Sequence, residues 1–129
     1  MAVMQSRDTR SFVAGESLAA AQFHFVTLEN DGTVDLADAD AENCIGVLLN
    51  APASGEAATV AISGKVMVEA GGTIAAGAEV VTNTAGEAVT LTASSSATAV
   101  TMGYALEAAV DGQIMAIELI QGGNTSDQS

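Results

Sequence analysis

The feature that most constrains the fold is a segment that occurs twice with the same spacing of small and apolar residues. Residues 45–63, IGVLLNAPASGEAATVAIS, align with residues 102–120, MGYALEAAVDGQIMAIELI, so that Gly46 corresponds to Gly103 and Gly55 to Gly112. Each copy has an apolar run, a turn around a glycine that can take a positive φ, and an alternating stretch, which is typical of strand, turn and strand. We therefore predict that one hairpin-like unit is used twice.

The region before each copy repeats as well. AGESLAAAQFHFV, which begins at Ala14, resembles AGGTIAAGAEVVT, which begins at Ala70, and each segment then runs into a turn that contains a glycine. The pattern predicts two related β units, residues 14–63 and 70–120, joined by residues 64–69. Chance similarity between hairpins rich in Ala, Gly and Val is the alternative. The predicted fold is all-β, a compact sandwich or barrel in one domain over residues 14–121.

The two ends of the chain differ from this body. Residues 1–13 are polar, lack a sustained period and carry Arg7 and Arg10, two of the three basic residues in the chain. We predict an extended N-terminal arm whose partner-binding residues are Arg7, Arg10, Phe12 and Val13, the alternative being a frayed terminus. The last residues, 122–129, read GGNTSDQS and are predicted to form a flexible tail.

Composition excludes several functions. The 129 residues include 16 Asp and Glu against 3 Lys and Arg, a net charge of −13, which repels phosphate backbones and anionic lipids. We expect no direct nucleic-acid binding.

No apolar run has the length of a membrane span and the N-terminus lacks the hydrophobic region of a signal peptide, so we expect no membrane contact and synthesis in a cytoplasm. The single Cys44 lies in an apolar run and is predicted to be buried and unreactive.

The sequence offers little for catalysis or metal binding. His24 is the only histidine, and with no second His or nearby thiol we predict a packing or surface role for it. Residues 35–42, DLADADAE, are acidic, but they fit the calcium-loop pattern poorly and favour a solvated turn over a cation site. No nucleophile has a base beside it. We expect no enzyme activity, no cofactor and no metal.

Two long segments carry a resemblance to a known family. Residues 45–89, IGVLLNAPASGEAATVAISGKVMVEAGGTIAAGAEVVTNTAGEAV, followed by residues 102–119, MGYALEAAVDGQIMAIEL, resemble the small capsid decoration (cement) proteins of tailed bacteriophages. The resemblance extends over residues 31–119, and the most characteristic part is G-x-A-L-x-A-A-x-x-G-x-I at residues 103–114. It implies a compact all-β homotrimer that binds the major capsid protein on the outside of the virion and reinforces the shell. In decoration proteins an N-terminal arm often adds to the capsid contact. Residues 1–13 match such an arm in position and role, and not by a sequence motif.

Two other classes of protein remain as alternatives. The segment GKVMVEAGGTIAAGAEVV resembles the turns of lipoyl and biotinyl carrier domains, with Lys65 as the modified residue. Such lysines sit at an exposed hairpin tip, whereas Lys65 directly follows Gly64 and precedes glycine-spaced strands. A bacterial surface adhesion module is the second alternative, and the missing export signal argues against it.

Overall fold

The fold is described from a computed structural model, for residues 7–39, 42–91 and 100–120. These residues form no helix and therefore no helix that could cross a membrane. They form nine strands: β1 (Arg7–Ala14), β2 (Phe25–Leu28), β3 (Thr33–Leu36), β4 (Gly46–Leu48), β5 (Ala57–Glu69), β6 (Glu79–Thr82), β7 (Ala88–Thr90), β8 (Gly103–Ala105) and β9 (Ile114–Leu119). The predicted all-β fold is confirmed.

The nine strands form a single sheet that is closed at one end. Its order is β1-β3-β2-β4-β5-β9-β8-β6-β7, and β1 also pairs with the first half of β5. That extra pairing joins the two ends of the β1-β3-β2-β4-β5 segment, so these five strands make a small closed barrel. The second half of β5 leaves the barrel and pairs with β9. The predicted barrel is therefore present, with further strands attached to it.

The second half of the chain repeats the first in its pairing and in its hydrogen bonds. The order β3-β2-β4-β5 in the first half has its counterpart in β7-β6-β8-β9 in the second. The amide of Leu18 donates to the carbonyl of Pro52 at 2.9 Å, and the amide of Ile74 donates in the same way to Ala109 at 2.9 Å. Equivalent turns end in Gly55 and Gly112, each with φ of +86°, which only glycine adopts readily. The fold is thus built from two related β units.

Strand β1 belongs to the repeated pattern, which moves the start of the first unit to Arg7. β1 pairs with the first half of β5 in the same antiparallel way that the second half of β5 pairs with β9. Residues 7–13, which the sequence assigns to an arm, are therefore a barrel strand in this structure. The sequence does not predict this strand because Thr9, Arg10 and Ser11 are all polar and exposed, so polar and apolar residues do not alternate there.

The core consists mainly of small and β-branched side chains in two main clusters, one within the first unit and a larger one that spans both units. The first-unit cluster surrounds Val26, Leu48 and Val60, and the larger cluster extends from Phe25 through Val66 to Ile117. Cys44 is buried in the larger cluster, as predicted. Burial, together with the negative charge of Glu42, raises the pKa of the Cys44 thiol far above its ordinary value, so the reactive thiolate is suppressed.

Candidate functional site

The predicted binding residues lie together on β1, on two faces of the strand. Arg7 is its first residue and pairs with Gly64. Alternation places Arg10 and Phe12 on one face and Val13 on the other. Arg10 is exposed, and within the described part of the chain its guanidinium makes one hydrogen bond, from Nη1 to the carbonyl of Thr9 at 3.2 Å. Phe12 packs against the first-unit core, whereas Val13 is 48% exposed.

One edge of β1 is open along most of its length. β1 pairs with β5 from Arg7 to Val13, but with β3 only through Val13 and Ala14. Among the described residues, the side of β1 that faces away from β5 therefore has no strand partner before Val13. An open edge presents backbone donors and acceptors to which another extended chain can add. The edge and the exposed Arg10 lie on the same strand.

A second candidate surface is an exposed apolar face on the second unit, formed by Met67, Tyr104, Leu106, Val110 and Ile114. Met67 on β5 pairs with Ala116 on β9, and the amide of Leu106 donates to the carbonyl of Ala116 at 3.0 Å. Met67 on β5 and Leu106, the residue that follows β8, therefore flank the small Ala116 on β9 from its two sides. Their exposed fractions are 37% and 48%. Grouped apolar side chains of this kind mark interaction surfaces more often than scattered ones do.

Sequence reasoning missed this apolar face, although a signal for it was present. In an antiparallel sheet with one face solvated, the outward positions of a strand are expected to be polar. Met67 stands between the buried Val66 and Val68, and Ile114 precedes the buried Met115, so both are apolar residues at outward positions. Lys65 and Glu118 pair at the border of the face. Lys65 thus lies within a long strand and not at the hairpin tip that a carrier domain requires.

A third surface is an acidic groove beside the barrel, with a volume of about 350 Å³ and lined by residues that include Glu16, Asp35 and Glu42. Partial burial raises the pKa of Asp35, and the neighbouring charges, Glu16 first, raise it further. Oδ1 of Asp35 is buried without a hydrogen bond. The carboxylate of Glu42 accepts from the amides of Asp38 and Ala39 at 2.7 and 3.0 Å. That carboxylate thus has a structural role in the turn.

The pKa of Asp31, which lies near Asp35, is shifted in the opposite direction by hydrogen bonds. The hydroxyl of Thr33 donates to Oδ1 of Asp31 at 2.7 Å and the amide of Thr33 donates at 3.1 Å. These bonds favour the charged form and hold the pKa of Asp31 below its ordinary value. Two further lining residues contact each other, since the hydroxyl of Thr27 donates to Oε2 of Glu29 at 2.7 Å.

Comparisons with known proteins give two findings. The model of the phage cement protein family matches residues 4–119. The crystal structure of the N base of head fiber gp8.5 in bacteriophage phi29 is similar with a TM-score of 0.68 and 18% sequence identity, and the alignment covers 92% of this chain and 98% of that one. At this identity the second finding concerns the fold. A search among curated proteins gives no match.

Proposed function

This chain belongs to the phage cement protein family, and from that membership we infer that it is a structural protein that decorates a phage capsid and stabilises the shell. The observation that carries the proposal is the extent of the family match, because residues 4–119 include all nine strands of the fold. The location is the virion. We propose that the partner is the major capsid protein on the exterior of the head, and that the chain is made in the bacterial cytoplasm and has no enzyme activity.

The open edge of β1 is the proposed capsid contact. Strand addition at this edge supplies backbone hydrogen bonds that the free protein satisfies with water, and each such bond has a net value of about 1 kcal/mol. Arg10 adds a positive charge at the same strand of a chain whose net charge is −13. That combination favours an acidic, extended segment of the capsid subunit as the partner, because its charge would be repelled elsewhere on this protein.

Arg10→Gln is expected to weaken attachment to undecorated heads about tenfold at low salt, since several copies of the charge act together in a multivalent complex. The difference from wild type should shrink as the salt concentration rises. Co-sedimentation of purified protein with heads that lack it measures the effect. Thr84→Glu, at an exposed turn of the second unit, changes the net charge by the same amount and should bind like wild type. Equal binding by wild type and Arg10→Gln at all salt concentrations would remove Arg10 from the contact.

The exposed apolar face is the proposed contact between copies in a homotrimer. Most of the surface is acidic, so two copies repel each other over most orientations. The apolar face is bordered by the pair Lys65 and Glu118, whose charges offset each other, and its apolar side chains are 37–58% exposed. It is therefore a region where copies can approach with little repulsion and bury apolar area.

Leu106→Lys is expected to convert the trimer to a monomer, because it places a charge in the middle of the apolar face. Light scattering should give three times the chain mass of 12.8 kDa for the wild type and one chain mass for the variant. Leu28→Lys is a matched control, since Leu28 is also 48% exposed but lies on the first unit. A dimer for the wild type, or a trimer for Leu106→Lys, would contradict the proposal.

A further inference from the structure

We propose that His24, Glu69 and Glu87 form a binding site for one divalent transition-metal ion at the junction of the two β units. His24 lies just before β2 in the first unit, Glu69 is the last residue of β5, and Glu87 precedes β7 in the second unit. One ligand atom from each residue lies within 4.8 Å of the other two. An ion at this point would connect segments from both units.

The imidazole of His24 is oriented for this role. Its Nδ1 lies 3.0 Å from the carbonyl oxygen of Gln22, and because a carbonyl can only accept, Nδ1 must carry the proton. A histidine ligand typically donates its other ring N–H to a backbone carbonyl in this way. The remaining Nε2 lies 3.8 Å from Oε1 of Glu69, too far for a hydrogen bond. The His24 side chain is 11% exposed, and its Nε2 faces the carboxylate of Glu69 without a hydrogen-bond partner among the described residues.

The backbone holds the three ligand-bearing segments against one another. The amide of Glu69 donates to the carbonyl of Phe23 at 2.9 Å, and the amide of Phe25 donates to the carbonyl of Gly86 at 2.7 Å. Each of these bonds joins a neighbour of His24 to one of the other two segments. Gly86 has a φ of +78°, and a Cβ atom there would overlap Cδ1 of Leu36 and come within 3.3 Å of the Cβ atom of His24. The close approach of the turn to His24 therefore depends on glycine.

The carboxylate of Glu87 is also positioned by its surroundings. Nδ2 of Asn83 donates to Oε1 of Glu87 at 3.1 Å, while Oδ1 of Asn83 accepts from the amide of Glu87 at 2.9 Å. Asn83 thus fixes the turn and one carboxylate oxygen, in the manner of residues that orient metal ligands from behind. No hydrogen bond to Oε2 of Glu87 occurs among the described residues, so this oxygen can turn toward an ion.

Glu69 and Glu87 have no carboxylate counterparts at the equivalent positions of the first unit. The equivalence of the β1–β5 and β5–β9 pairings makes Val13 the counterpart of Glu69. The parallel pairs Ala14 with Val34 and Ala70 with Ala88 make Thr33 the counterpart of Glu87. The first unit therefore has an apolar and a hydroxyl side chain where the second unit has carboxylates. The site exists only once, at the junction.

The donor set defines the class of ion. One imidazole nitrogen with two carboxylate oxygens suits Zn²⁺ and similar ions, which bind such atoms at about 2.0–2.2 Å. Bound at that distance, the ligand atoms would have to approach one another to roughly 3.4 Å in a tetrahedral site. Rotation of the two glutamate side chains supplies this movement, and Glu69 is 30% exposed and has room for it. The two carboxylates offset the charge of the ion, and water completes the coordination.

The test is the change in melting temperature of the purified full chain, stripped with a chelator, on addition of Zn²⁺. At a concentration about a hundredfold above the dissociation constant we expect a rise of about 10 °C, and titration calorimetry should give one ion per chain. Mg²⁺ at the same concentration should have a much smaller effect, because it prefers oxygen ligands in an octahedral arrangement. His24→Gln and Glu87→Gln should each abolish the rise, whatever their own melting temperatures are. Glu118→Gln, the matched control on the exposed face, should retain it.

Two results would overturn the proposal. An unchanged melting temperature in the wild type would mean that the three side chains bind no Zn²⁺ ion. A rise that persists in both His24→Gln and Glu87→Gln would assign Zn²⁺ binding to other carboxylates of this acidic chain. Neither result bears on capsid decoration, which is tested with chelated protein.

Discussion

Deletion of residues 1–13 is expected to unfold the first β unit, whereas deletion of residues 1–6 is expected to leave the melting temperature nearly unchanged. β1 closes the barrel through pairs that run from Arg7 with Gly64 to Val13 with Ala57. Its loss exposes the edge of β5 and uncovers the core beneath Phe12. Each lost backbone hydrogen bond lowers the free energy of unfolding by about 1 kcal/mol, and the lost apolar burial lowers it further. The total loss is about 5 kcal/mol, which is comparable to the whole stability of a small domain.

Thermal melts followed by circular dichroism, together with hydrogen exchange, measure this difference. Loss of protection should be largest in β2, β3 and β4, which belong to the barrel, and smaller in the region of β6 to β9. This expectation differs from the one that follows from the sequence alone, in which residues 1–13 form an arm outside the β domain. Equal melting temperatures for the two truncated proteins would support the arm and contradict the closed barrel.

Gly46→Ala and Gly103→Ala are each expected to destabilise the protein by about 3 kcal/mol or more, although each adds only one methyl group. A Cβ atom at Gly46 would overlap the carbonyl oxygen of Ala61, and one at Gly103 would overlap that of Glu118. Both obstacles are backbone atoms in paired strands, so they cannot move away as a side chain would. The effect should be similar at both sites because the two glycines occupy equivalent places in the two units.

Gly72→Ala is the control for this pair. No atom lies within 4 Å of a Cβ built at Gly72, and its φ is not in the left-handed region. Its stability should therefore stay within about 0.5 kcal/mol of wild type in urea denaturation. If Gly46→Ala and Gly103→Ala also stayed within that range, the result would contradict the close backbone contacts at β4 and β8.

The sequence was sufficient for the all-β fold class. Gly46 and Gly103, and Gly55 and Gly112, showed the repeat because their backbone contacts and dihedral angles tolerate little else. The role of β1 was missed for the opposite reason. Its counterpart is the second half of β5, where Val66 and Val68 are buried and alternate with exposed residues, whereas β1 is polar at Thr9 to Ser11.

The candidate sites were harder to predict, because they depend on strand pairing between distant segments. The apolar face becomes visible only when β5, β8 and β9 are placed side by side. His24 has no ligand near it in sequence, and its two carboxylates come from the end of β5 and from the turn before β7. Spacing along the chain carries no information about contacts of this kind, which the fold creates.

The central claim, that this protein reinforces a phage shell, is tested most directly by heating heads and measuring the temperature at which they release their DNA. Heads from a phage that lacks the gene are compared before and after addition of the purified, chelator-treated protein. The account predicts saturable binding to the exterior and a rise of several degrees in the release temperature, because binding that is specific to the intact shell stabilises it by mass action. Absence of binding, or saturable binding with no change in the release temperature, would contradict it.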